Sequence, residues 1–175
     1  MDSDWYLVVI RLIHIVFGVL WVGAAIFLAG LLEPTIVDLG KDGGRVMDNL
    51  VRKRKLPVYM SLTSILTIVG GVLLYWRMSD HFDSEWLKSG PGLTLTVGSV
   101  AAIIAGVMGA AINSPTAKQM HAVGQRMQAA AGPPAAEDIA EMGRLQKRLS
   151  SAARIEAVLL LLATATMAVG RYIVR

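Results

Sequence analysis

The feature that most constrains this chain is its first long apolar run, Trp5 to Leu32 (WYLVVIRLIHIVFGVLWVGAAIFLAGLL), whose ionisable groups are Arg11 and His14, both in its first half. As a helix the run is roughly 40 Å long, more than the ~30 Å hydrocarbon core of a bilayer. It is predicted to span a membrane. Arg11 lies three positions before His14, Gly18 four after it and Trp21 seven after it, so the four share one helix face. An ionisable group facing hydrocarbon costs several kcal/mol, so this face is expected to turn toward a bundle interior or a water-filled cavity. Gly18, with no side chain one turn below the imidazole, leaves a notch in which a flat ligand held by His14 could lie close to the backbone. The residue types support a plainer reading equally well: His14 hydrogen-bonds a neighbouring helix and Gly18 permits close packing.

Composition agrees with a membrane setting, since 54% of the 175 residues are hydrophobic and 17% are charged. The length suits one helical domain without a separate soluble module. With no Cys in the chain, disulfides, iron–sulfur clusters and thiolate metal sites are excluded. Asp2 and Asp4 stand where a signal peptide carries basic residues, so the first run is expected to remain as a helix.

Three further apolar runs complete a predicted all-α integral membrane four-helix bundle, with spans at about 5–32, 57–77, 92–113 and 154–174. Glu33-Pro34 is expected to end the first helix, because proline disfavours helix for the residue before it. The segment RVMDNLVRKRK reads as a short interfacial helix, and Trp76 with Arg77 as the interfacial anchor of the second span. Ser61, Thr63, Ser64 and Thr67 can bond carbonyls of their own helix, so they imply no pore. Gly98, Ala102, Gly106 and Ala110 recur every four positions in the third span, the spacing that lets helix backbones approach closely.

Between the third and fourth spans, residues 115–153 change to an amphipathic pattern. Ala117, Met120, Gly124 and Met127 mark one arm, and Ile139, Met142, Leu145, Leu149 and Ala152 the other, about the turn AAAGPPAA. This predicts a cytoplasmic helical hairpin whose arms are continuous, or nearly so, with membrane helices. The first connection carries Lys41, Arg45, Arg52, Lys53, Arg54 and Lys55, and the third Lys118, Arg126, Arg144, Lys147, Arg148 and Arg154, against Arg77 and Lys88 in the middle one. By the positive-inside rule the two basic connections are cytoplasmic and both termini face outward, as in a protein of the bacterial inner membrane. Anionic lipid is the expected partner of these loops, and nothing calls for nucleic acid.

His14 then lies in the outer half of the bilayer. Antiparallel threading brings Thr67 to Gly71, Val100 to Ile104 and Ala163 to Met167 to its depth, with Gly70 and Gly71 opposite the Gly18 notch. His81 and His121 fall outside the apolar runs, so a b-type haem would rest on His14 alone or with Met167 or Met108 as a sixth ligand. Arg11 and Arg77 are placed to pair with propionates. Most of the nine methionines serve as core. Glu33 and Glu156, near the cytoplasmic boundary, read as partners for the basic residues there. Without an intramembrane acid–base pair, proton-relay transport and hydrolysis are disfavoured.

The stretch RLIHIVFGVLWVGAAIF resembles the first-helix pattern of a group of small bacterial membrane proteins, with a basic residue, His three positions on, then Gly, Trp, Gly and an aromatic. The group includes HemJ-type protoporphyrinogen oxidases, copper-resistance D-type proteins and uncharacterised four-helix relatives. KLPVYMSLTSILTIVGGVLLYWR, with NSPTAKQM after the third span, most resembles the uncharacterised members, over nearly the whole chain. The resemblance to the HemJ type implies b-type haem on the first-helix histidine, here His14. That type also carries a lysine and a histidine on its third helix, and this third span has neither, which argues against porphyrinogen oxidase activity. Copper transport is disfavoured because no cluster of His, Cys or Met surrounds His14. The expected role is electron transfer or redox sensing, with a redox partner and a homo-oligomer to accompany it. The competing expectations are a haem-free structural or assembly protein and, ranked lower, a porphyrin-related membrane oxidoreductase.

Overall fold

A computed structural model describes residues 3–130 and 132–173 of the chain. Among them every regular element is helical: α1 (Ser3–Phe27), α2 (Glu33–Asp38), α3 (Lys41–Asp48), α4 (Leu56–Met78), α5 (Ser84–Lys88), α6 (Gly90–Met108), α7 (Ser114–Ala129) and α8 (Ala136–Val169). Four stretches are long and apolar enough to cross a membrane: Trp5–Asp38, Leu56–Met78, Gly90–Ala129 and Ala136–Val169. Less than a third of the apolar part of each is buried. Leu12, Val19, Leu62, Ile65, Val100, Val107, Val158 and Leu161 all face outward, a continuous apolar surface of the kind that lipid covers.

The expected end of the first helix at Glu33-Pro34 is not a break. Wide π-helical turns precede the prolines: Leu28–Leu32 runs into Pro34, and Gly109–Asn113 runs into Pro115. At these seams Glu33 N–H bonds Leu28 O and Ser114 N–H bonds Gly109 O, five residues back. A proline inside an α-helix lacks one N–H and strikes the carbonyl four residues behind it. A locally widened turn absorbs that ring, so the helices continue through Asp38 and Ala129. A true break occurs at Lys55, which adopts a left-handed conformation (φ 53°) just before α4.

α1 packs mainly along α4, and α6 mainly along α8, with α1 against α8 and α4 against α6 closing the bundle. The seam between them holds Trp21, Ala25, Ala105 and Leu160, flanked by Val22, Met60, Ile68 and Leu159. Small residues bring α6 onto α8: Gly98, Ala101 and Ala105 are buried, and a methyl on Gly98 would strike Thr166. The buried row is 98, 101 and 105, whereas Ala110 of the four-residue stripe faces outward. The hydroxyls of Thr63 and Thr67 bond Tyr59 O and Thr63 O in their own helix, so no polar channel is needed to satisfy them.

The loop after α4 is a compact cap. Asp80, His81 and Phe82 take positive φ in succession, and buried Ser79 accepts the Phe82 N–H through its hydroxyl. Asp83 caps α5 through the N–H groups of Glu85 and Trp86. Beyond the apolar zone at the other end, α7 and the first half of α8 form an antiparallel pair. Val123 and Leu145 are buried between them, and Arg126 bonds Asp138 and Glu141 at 2.9 and 2.7 Å. Ile139, expected on the inner face of this pair, is exposed. α8 ends at Val169, followed by a short 3-10 turn, Gly170–Tyr172. Val174, the expected end of the fourth span, lies outside the described residues.

Candidate functional site

His14 sits at the α1–α4 seam, half-buried, with its Nδ1 2.8 Å from the backbone oxygen of Thr67. A carbonyl can only accept, so Nδ1 carries the hydrogen and donates it. That fixes the ring orientation and leaves Nε2, in the neutral ring, with its lone pair available. An imidazole whose one N–H is held by a backbone carbonyl while the other nitrogen is bare is the arrangement that metal-bound histidines use.

Gly70 and Gly71 are the seat of this ring. A Cβ on Gly70 would come within 3.2 Å of His14 Cβ, and one on Gly71 within 2.9 Å of His14 Cε1. The two glycines do lie opposite His14, but the space they leave holds the imidazole itself. A Cβ on Gly18 would meet Thr67 Cγ2 at 3.5 Å, so the notch expected for a flat guest is lined by that side chain. The donor chemistry therefore fits a haem iron, with Nε2 as the ligand atom, while the glycine cradle serves the ligand and not the macrocycle.

The other sequence candidates divide by depth. Arg11 and Arg77 are exposed, and both lie nearer than His14 to the end of the bundle where α1 begins and α4 ends, Arg11 one turn along α1 and Arg77 about two along α4. Leu160 packs against Trp21, and from that level Met167 and His14 each lie seven residues, about 10 Å, in the same direction along antiparallel helices. Met167 is thus level with His14. Met108 is not: Ala105 packs at the Trp21 level, and Met108 lies one turn beyond it, away from His14. Trp21 itself is 2% exposed and belongs to the bundle core, not to the His14 site. His81 is exposed, hydrogen-bonded to Asp80 and edge-on to Trp76 at 4.5 Å, and His121 is exposed on α7.

A second polar centre was not evident from the sequence. Glu156, on α8, is 5% exposed, and its carboxylate accepts a hydrogen bond from the Asn113 amide. It lies against Gly109, where a Cβ would stand at ordinary contact distance, 3.7 Å from Oε1. Among the described residues no Lys or Arg forms an ion pair with Glu156 or Glu33; Glu156 is bonded instead by the neutral Asn113 amide, and Glu33 Oε2 has no partner. The available signal was the spacing of Gly109 and Asn113 on one helix face opposite a lone acid in the fourth apolar run.

Among the described residues, no three His, Cys, Asp or Glu side chains come together as a metal-holding group. No protein-family model, curated protein or solved structure matches the chain.

Proposed function

We propose that this is an integral protein of the bacterial inner membrane, with both termini outside, that holds a b-type haem on His14 for electron transfer or redox sensing. The observation that carries the reading is the His14 Nδ1–H bond to Thr67 O, which leaves Nε2 as a prepared ligand in an apolar seam. A haem bound there supplies a reversible one-electron iron couple. The chain's own contribution is to orient the ring on Gly70 and Gly71, to offer Met167 at the same depth as a sixth ligand, and to place Arg11 and Arg77 toward the outer surface for propionates. The basic connections would rest on anionic lipid. The exposed apolar face of α6, with Val97, Val100, Ile104 and Val107, would serve a homo-oligomer, and a redox partner would exchange the electron.

The test is a reduced-minus-oxidised absorption spectrum of protein purified from its membrane. A Soret band that shifts on reduction and is lost in His14→Ala supports the reading. A colourless wild-type protein that has been supplied with haem during expression overturns it.

One observation favours a second reading, a haem-free structural or assembly protein. His14 fills the glycine seat and ties α1 to α4, as a purely structural histidine would. On that reading His14→Ala lowers the melting midpoint of a protein that never carried colour.

A further inference from the structure

The α7–α8 pair divides its charge by distance from the apolar zone. Glu137, Asp138 and Glu141 lie at the far end, where Arg126 bonds Asp138 and Glu141. Nearer the apolar zone, residues 142–155 of α8 include no acid and carry Arg144, Lys147, Arg148 and Arg154. α7, packed alongside, has no acid anywhere along its length. All four cations are exposed, and among the described residues none of them forms an ion pair. Like charges three and four positions apart on a helix repel, so the grouping is unfavourable until an anion arrives. The first basic connection differs, since Arg45 and Arg52 are matched there by Asp42 and Asp48 at 3.4 and 3.8 Å.

The cations are also in line with an apolar surface. Arg144, Lys147, Ser151 and Arg154 follow one another at steps of three and four, and Val158 and Leu161 continue the same row. All six are exposed. α8 is unbroken from Ala136 to Val169, so the row is a single strip that changes from cationic to apolar within one turn, between Arg154 and Val158. A helix of 34 residues is about 50 Å long, against ~30 Å of hydrocarbon, so its first third lies outside the apolar zone.

That sequence of chemistries matches one kind of partner. A soluble anion would meet the cations and gain nothing from Val158 and Leu161. An acidic protein or a nucleic acid would likewise have no use for the apolar continuation. An anionic phospholipid carries its charge and its chains in the same order as the strip, with the phosphate at the change of character. Lys and Arg lay their aliphatic stems along apolar surface and reach a phosphate with their tips, and the Ser151 hydroxyl adds a donor between them.

We propose that this strip of α8 is a binding site for an anionic phospholipid, its phosphate held by Lys147, Ser151 and Arg154 and its acyl chains lying along Val158 and Leu161. Arg144 and Arg148 add positive charge on the solvent side. The site narrows the lipid partner of the proposed function to one helix face. It rests on the membrane-spanning reading and is independent of haem at His14.

The experiment titrates the full chain, in neutral detergent at fixed pH and ionic strength, with phosphatidylglycerol or with phosphatidylcholine of the same acyl chains. Retained lipid is read by native mass spectrometry, alongside the melting midpoint. Phosphatidylglycerol is expected to bind at least about tenfold more tightly and to raise the midpoint saturably. Lys147→Gln/Arg154→Gln should lower that preference at least about fivefold, and Lys147→Arg/Arg154→Lys should keep it. Arg45→Gln/Arg52→Gln, which removes cations already matched by acids, should change it less than about twofold. Equal retention of the two lipids, an undiminished preference in Lys147→Gln/Arg154→Gln, or equal binding of glycerol phosphate or polyglutamate would each overturn the proposal. An alkaline carbonate wash of the source membranes separates the two readings. A chain that stays with the lipid yet shows no headgroup preference overturns this site alone, and a chain that is released overturns the spanning reading with it.

Discussion

The two halves of the bundle handle a polar group in opposite ways. Toward the end where α1 begins, His14 is half-buried on two glycines, and one backbone carbonyl holds it while its second nitrogen stays bare. Toward the other end, Glu156 is 5% exposed and held by the Asn113 amide, whose own oxygen lacks a partner. The first arrangement leaves a lone pair at the edge of a seam. The second buries an acid whose partners must come from the protein. The two polar groups therefore belong to different seams, His14 to α1–α4 and Glu156 to the meeting of α8 with the π-turn Gly109–Asn113.

The comparison breaks first at Trp21. Trp21→Ala removes the largest side chain of the core and should destabilise by about 3–5 kcal/mol, read by unfolding in mixed micelles. Trp5→Ala, at a residue 74% exposed, should change the same measurement by less than about 0.5 kcal/mol. If the two variants melt alike, the core described here is misplaced. Next comes Gly71→Ala, whose methyl would lie 2.9 Å from His14 Cε1. Overpacking should cost about 1–3 kcal/mol and move the ring, so haem content should fall with the midpoint. An unchanged haem content would detach the glycine seat from the ligand site. Asn113→Leu removes one hydrogen bond to Glu156 and should cost about 1–3 kcal/mol while leaving the His14 spectrum intact. A spectral change there would mean that the two halves are coupled. The smallest effect belongs to Thr67→Val. The bond to His14 uses the backbone oxygen, so losing the hydroxyl should cost no more than about 1 kcal/mol and leave haem content unaltered.

The sequence carried the four apolar helices, because hydrocarbon length and helical rise leave little freedom. It also carried the register that sets Thr67, Gly70 and Gly71 opposite His14, because straight antiparallel helices keep depth proportional to residue number. It misread Pro34. That proline looks like a helix end by local rule, but a π-turn before it lets the helix pass, and nothing in the residue pattern announces the extra residue per turn. At Pro115 the expected continuity of the hairpin arm with the third span holds, again through a π-turn. The same blindness hid the Glu156 centre, since the π-turn Gly109–Asn113 brings Gly109 and Asn113 to the carboxylate. Trp21 was placed with His14 on a shared face. Its large side chain instead packs in the core with Ala105 and Leu160.

The central claim is that His14 Nε2 binds haem iron, and haem stoichiometry by pyridine haemochrome assay tests it most directly. Wild type and His14→Ala would be expressed with added haem precursor and purified side by side. The account predicts about one haem for each haem-binding site in the wild type, little in His14→Ala, and partial return when free imidazole is supplied to the variant. Equal haem in both proteins, or none in either, would contradict it.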